Sequence, residues 1–123
     1  MASGTLLPES LRLNAALDGA PLTVTKITRV GPLTGLAAGQ PPVWTFVEFE
    51  IEDDQVPVFA DELARLLEPG VAWYSDLRTA TETFVVFCDL VIRYPRGDPS
   101  GRRRAEEHAR SIGVPEPQID WPE

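Results

Sequence analysis

Seven carboxylates fall between positions 48 and 62 with no basic residue among them: Glu48, Glu50, Glu52, Asp53, Asp54, Asp61 and Glu62. The first three alternate along an extended segment, so they project from one face of a strand. Carboxylates this close could hold a hard cation such as magnesium or calcium. The spacing has no twelve-residue loop with a central glycine, so it does not match an EF-hand, and no metal is expected. The run reads instead as a surface for a basic protein partner, carried by Glu48, Glu50, Glu52, Asp53 and Asp54. Such a charge pattern steers association more than it supplies affinity.

The opposite pole is basic. Between Arg93 and Arg110 there are six arginines against three acids, a net of +3 in a chain whose total is −8, so the remainder carries −11. Arg96, Arg102 and Arg103 flank a helix start at Ser100-Gly101. Helix N-termini attract phosphate or carboxylate, and arginine adds a two-pronged donor. Asp98 at the cap would compete with an incoming anion, and no glycine-rich nucleotide fingerprint is present, so no cofactor is expected. The bland alternative is a solvated helix with Arg102–Glu106 and Arg103–Glu107 pairs at helical spacing.

A third group is aromatic. Trp44 and Phe46 share one strand face, and Trp73 and Tyr74 lie close together. Aromatic rings with a polar tip line small-molecule pockets and also fill cores. A pocket would lie between Trp44, Phe46, Trp73, Tyr74 and the second helix, with the arginines supplying an anion site. Its ligand would be a small anionic or aromatic molecule.

Nucleophilic chemistry has little to stand on. Cys88 lies within an apolar run beside Val86 and Leu90, where a thiol is a small hydrophobe rather than an activated nucleophile. His108, the single histidine, sits in the charged run Arg102–Arg110 and reads as a surface residue. No strand-to-helix nucleophile elbow frames a serine. No catalytic residue is expected.

Composition narrows the classes further. A chain of 123 residues with 43% hydrophobic and 24% charged residues is an ordinary globular domain. Net charge of −8 argues against a general nucleic-acid or anionic-membrane binder. One cysteine excludes an internal disulfide and a cysteine-cluster zinc site. With no basic, apolar leader at the N-terminus and no run of about 20 apolar residues, the expected setting is cytoplasmic.

The elements that would position these groups follow from patterning. Residues 1–8 read as a flexible N-terminus. Leu11–Leu17 and Leu22–Val30 flank Asp18-Gly19 and read as a hairpin, with a short helix over Glu9–Leu17 as the competing reading. Residues 31–42 are a loop rich in glycine and proline. Val43–Glu52 is a strand. A helix capped by Asp53 or Asp54 runs to about Leu67, with Pro57 in its first turn. Val71–Arg78 is a short strand, and Thr83–Tyr94 one strand apolar on both faces, placed mid-sheet. Asp98-Pro99 opens a second helix that stops at Gly113. The tail 114–123 is extended, with Ile119 and Trp121 packing on the body.

The expected fold is therefore α+β: a five-stranded, mainly antiparallel sheet in the order β-β-β-α-β-β-α, both helices on one face, with residues 9–113 as the single domain. The bare second face would suit a homodimer. The expected function is a non-catalytic accessory, immunity or regulatory domain that binds a protein through its acidic face. The alternative is a small-molecule binder or small enzyme using the aromatic pocket and the arginines.

Overall fold

In the computed structural model, which describes residues 1–123, six strands form one antiparallel sheet. They are β1 (Ala2–Leu6), β2 (Thr23–Val30), β3 (Trp44–Ile51), β4 (Ser75–Arg78), β5 (Glu82–Phe87) and β6 (Leu90–Pro95), in the spatial order β2-β3-β1-β4-β5-β6. Two helices, α1 (Val56–Leu66) and α2 (Pro99–Ser111), complete an α+β architecture. The class and the antiparallel pairing match expectation; the strand count is six rather than five. Neither helix is long and apolar enough to cross a membrane.

The sixth strand is the N-terminus itself. Residues 2–6, expected to be flexible, form β1 in the middle of the sheet, paired with β3 on one side and β4 on the other. The small residues that suggest a loose end are there for close packing. Ala2 is fully buried, and a Cβ on Gly4 would stand 2.7 Å from the Phe49 ring and 2.8 Å from the Asp76 carbonyl oxygen.

Two other segments depart from their sequence reading. Leu11–Leu17 is neither strand nor helix: Leu13 is 89% exposed, Asn14 takes a left-handed φ of 68°, and only Leu11 bridges to Leu67. Leu11, Leu17, Ala20 and Leu22 instead pack as irregular chain against the core beside α1. Asp18-Gly19 bends this coil, and the partner of β2 is β3. The long apolar run 83–94 is not one strand but the hairpin β5–β6, turning at Cys88-Asp89 with Asp89 at φ 57°. It lies at the edge of the sheet rather than mid-sheet, and the strand before it begins at Ser75, not Val71.

α1 follows a one-turn 3-10 segment, Asp53–Gln55, and its N-cap is Gln55 without a side-chain hydrogen bond, so neither aspartate caps it. Asp53 instead pairs with the Met1 ammonium at 3.2 Å. Pro57 occupies the first turn as expected, while Val56, Phe59, Ala60, Leu63 and Ala64 form the buried stripe. That stripe meets Ala2, Leu6, Phe49, Ile51, Leu77, Phe84 and Val86, with Phe49 and Phe59 edge to face at 5.6 Å between centroids. Each such buried ring contributes roughly 2–3 kcal/mol by burial alone.

α2 lies on the opposite face. Its Ala105 and Ala109 pack with Val85, Phe87, Tyr94, Val114 and Trp121. Side chains alternate along β5, so Phe84 and Val86 point to α1 while Val85 and Phe87 point to α2. The expectation of both helices on one face is corrected by this alternation: a strand apolar on both sides needs a cover on both sides. The face that a second copy was expected to cover is thus capped by α2 at its β5–β6 end. α2 itself begins and ends as expected, with Asp98 Oδ1 accepting from Ser100 N at 3.1 Å and Gly113 at φ 94° just past its end.

Candidate functional site

The α2 face of the sheet is only half covered, and its uncovered half is organised by strand register. One cross-strand row reads Lys26, Glu48, Thr5, Asp76, Val85 and Ile92; the next reads Thr23, Glu50, Ser3, Arg78, Thr83 and Tyr94. α2 and the C-terminal tail close over the apolar end of these rows. Where that cover stops, a cleft of about 390 Å³ opens. Its walls come from three sources: Trp44, Phe46, Trp73, Tyr74, Thr5 and Asp76 from the sheet and its entry; Leu33, Thr34 and Leu36 from the 31–42 loop; Pro117, Gln118, Asp120, Trp121 and Pro122 from the tail. This volume is within the range of small-molecule sites.

The aromatic wall is held tightly. Trp44 and Trp73 meet edge-on at 5.1 Å, and Trp44 Nε1 donates to the Pro41 carbonyl at 2.8 Å. Tyr74 and Trp121 meet edge-on at 5.2 Å, and the Arg102 guanidinium lies 5.0 Å from the Trp121 ring. The loop and the tail are clasped by an amide pair: Gln40 Nε2 donates to Gln118 Oε1 at 3.2 Å, and Gln118 Nε2 returns a bond to Gln40 Oε1 at 3.0 Å. All three tryptophans of the chain line this one cleft.

Its polar groups are acidic. Asp76, 9% exposed, accepts from Arg78 Nη1 at 3.2 Å. Burial pushes its carboxyl up to about 6; Arg78 opposes the shift, and the charge of Asp120 adds to it. The Tyr74 hydroxyl donates its one proton to the Gln118 carbonyl, with Asp120 Oδ1 3.2 Å away as the alternative acceptor. Burial first, then the Asp120 charge, pushes the Tyr74 phenol up, so it keeps its proton and acts as a neutral donor. A perturbed carboxylate in a cleft marks a functional-site candidate.

The residues singled out in the sequence are thereby regrouped. Trp44, Phe46, Trp73 and Tyr74 do converge on one cleft, but the C-terminal tail takes the place expected for α2. The arginines are elsewhere. Arg96 donates to the carbonyls of Thr79 and Glu123, each at 3.2 Å. Arg102 pairs with Glu106 at 3.2 Å and Glu123 at 3.4 Å. Arg102 and Arg103 border a separate hollow of about 250 Å³ that also holds Asp98, Glu106 and Glu123, acids that answer the arginine charge. Of the two helical pairs considered, only Arg102–Glu106 forms.

Among the acids, Glu48 and Glu50 project on the α2 face beside the cleft, while Glu52, Asp53 and Asp54 lie exposed past the end of β3. Cys88 occupies the β5–β6 turn rather than a strand interior, and burial followed by the Asp89 charge pushes its thiol up, away from a reactive thiolate. His108 packs edge-on against Phe87 at 4.5 Å. Sequence reasoning missed Thr5, Asp76, Gln118 and Asp120 as lining residues, and Gln40 as the residue that clasps the tail. The available signal was Asp76 sharing a face with Tyr74 two residues earlier. No family model, no curated protein and no solved structure matches the chain.

Proposed function

We propose that this chain is a small-molecule-binding domain whose site is the aromatic cleft on the α2 face. The observation that carries this reading is the convergence of three tryptophans and a buried carboxylate, Asp76, on one cleft of about 390 Å³. Side chains already locked by packing and hydrogen bonds lower the ordering cost of binding. The one Tyr74 proton is committed to the Gln118 carbonyl or Asp120, so the polar groups suit recognition rather than proton abstraction. A fragment screen read by thermal shift tests it, because a ligand that binds the folded chain alone raises Tm. Hits should move the indole N–H signals of Trp44, Trp73 and Trp121. Hits that leave all three signals in place would refute the assignment.

A second reading is a protein partner on the acidic surface, and one observation favours it: Glu50, Glu52, Asp53 and Asp54 are all exposed, and Glu48 joins them to the cleft through Thr5. Changing Glu48, Glu50 and Glu52 to glutamine should then slow association with that partner and flatten its salt dependence. An unchanged on-rate would remove this reading.

A further inference from the structure

We infer that the cleft takes an organic cation, its ammonium or guanidinium group set against the Asp76 carboxylate and its apolar part against Trp44 and Trp73. The inference rests on the ligand-binding reading and adds the charge of the ligand, where the sequence pointed to a small anionic or aromatic molecule. No lysine, arginine or histidine lines the cleft, whereas Asp76 and Asp120 both do. The Asp120 carboxylate is close enough for its charge to act on Asp76. Glu48 stands one strand over from Thr5 on the same face, outside the lining and opposite Lys26. The nearest compensating charge, Arg78, approaches Asp76 along its own strand from outside the cleft lining.

Each class of ligand meets this wall differently. An anion would face Asp76 and Asp120 with only Arg78, outside the lining, to offset them, and is repelled. A neutral molecule would take the exposed Asp120 carboxylate out of water and return no charge for it, which is costly. A cation adds a favourable charge beside Asp76 and Asp120 and finds electron-rich ring faces around it. The chain already places one cation on this aromatic group: the Arg102 guanidinium on Trp121.

The test uses three probes that share a phenylethyl group on the full chain at neutral pH: 2-phenylethylamine, its isostere 2-phenylethanol, and 3-phenylpropionate. Binding is read by tryptophan fluorescence and by the three indole N–H signals. The amine should bind at least about tenfold tighter than the alcohol and tighter still than the carboxylate, as expected for a desolvated charge pair. Asp76→Asn should erase that preference. If this variant does not fold, Asp120→Asn, at an exposed position, should reduce it instead. Equal or tighter binding of the alcohol or the carboxylate overturns the cation assignment and leaves the cleft as a ligand site. Failure of all three probes to bind at millimolar concentration overturns both.

Discussion

Trp121 Nε1 donates a 2.7 Å hydrogen bond to the Tyr94 hydroxyl, and both side chains are buried. This bond ties the C-terminal tail to the last strand and fixes one wall of the cleft. Trp121→Phe keeps an aromatic ring but removes the donor and part of the packed surface. The Tyr94 hydroxyl is then left buried without its partner, at a cost of about 1–3 kcal/mol. Urea unfolding should show a lower midpoint with an unchanged slope. An unchanged midpoint would mean that the tail contributes nothing to the fold.

Gly101 makes a second prediction, opposite in sign to helix propensity. Alanine is favoured over glycine in a helix by about 1 kcal/mol. Yet a Cβ on Gly101 would lie 2.3 Å from Tyr94 Cβ and 2.6 Å from its ring. α2 can dock on β6 only because that atom is missing. Gly101→Ala should therefore destabilise by about 1–3 kcal/mol, as overpacking does. Arg103→Ala, on the exposed side of the same helix, should stay within about 0.5 kcal/mol of the parent. A stabilised Gly101→Ala would show that α2 is not seated on Tyr94.

Local signals with one dominant cause were readable from the sequence. Asp98-Pro99 at the start of α2 and Gly113 after its end follow from backbone geometry, and the alternation of Phe49 and Ile51 with Glu48 and Glu50 follows from the pleat. What was not readable depends on distant partners. Ala2 and Gly4 carry no strand propensity, and β1 forms because β3 and β4 leave a slot for it. The alternation at Leu11–Leu17 was equally misleading, since no neighbouring strand takes it up. The candidate site divides the same way. The four aromatics from β3 and the Trp73-Tyr74 pair were legible as a cluster, whereas Gln118, Asp120 and Trp121 reach it through a tail with no periodicity. Helix faces were assigned by element order alone, which says nothing about the side of the sheet on which a connection passes.

The inner position of β1 has its own consequence. A strand bonded on both sides exchanges its amide hydrogens by the larger opening events, whereas a frayed terminus exchanges almost at once. The amides of β1 that bond to β3 and β4 should be among the best protected in the chain. Removing residues 1–6 should abolish cooperative unfolding, because Ala2 and Leu6 belong to the core under α1. Rapid exchange across β1 would return the N-terminus to the status of a loose end.

Asp76 links stability and binding to pH. Its carboxyl is raised from the usual 3.8 to about 6. The groups facing it are Arg78 on its own strand, the Tyr74 phenol two residues before it on the same face, Asp120 from the tail, and Glu48 with Lys26 beyond Thr5. With the folded value above the unfolded one, the native state holds the proton more tightly. The favourable contribution is fully present below about pH 4 and is lost as pH rises through about 6. Asp76→Asn cannot lose a proton there. Its stability relative to the parent should therefore rise between about pH 4 and 7, by at most about 3 kcal/mol. Binding of a cation should run the other way: it needs the charged carboxylate, so affinity falls as pH drops below about 6, and Asp76→Asn shows no such fall. Urea midpoints for both proteins across that range, set beside 2-phenylethylamine titrations, check the two signs together. A stability difference that is flat with pH would show that Asp76 titrates as an ordinary surface carboxylate and that the cleft does not desolvate it.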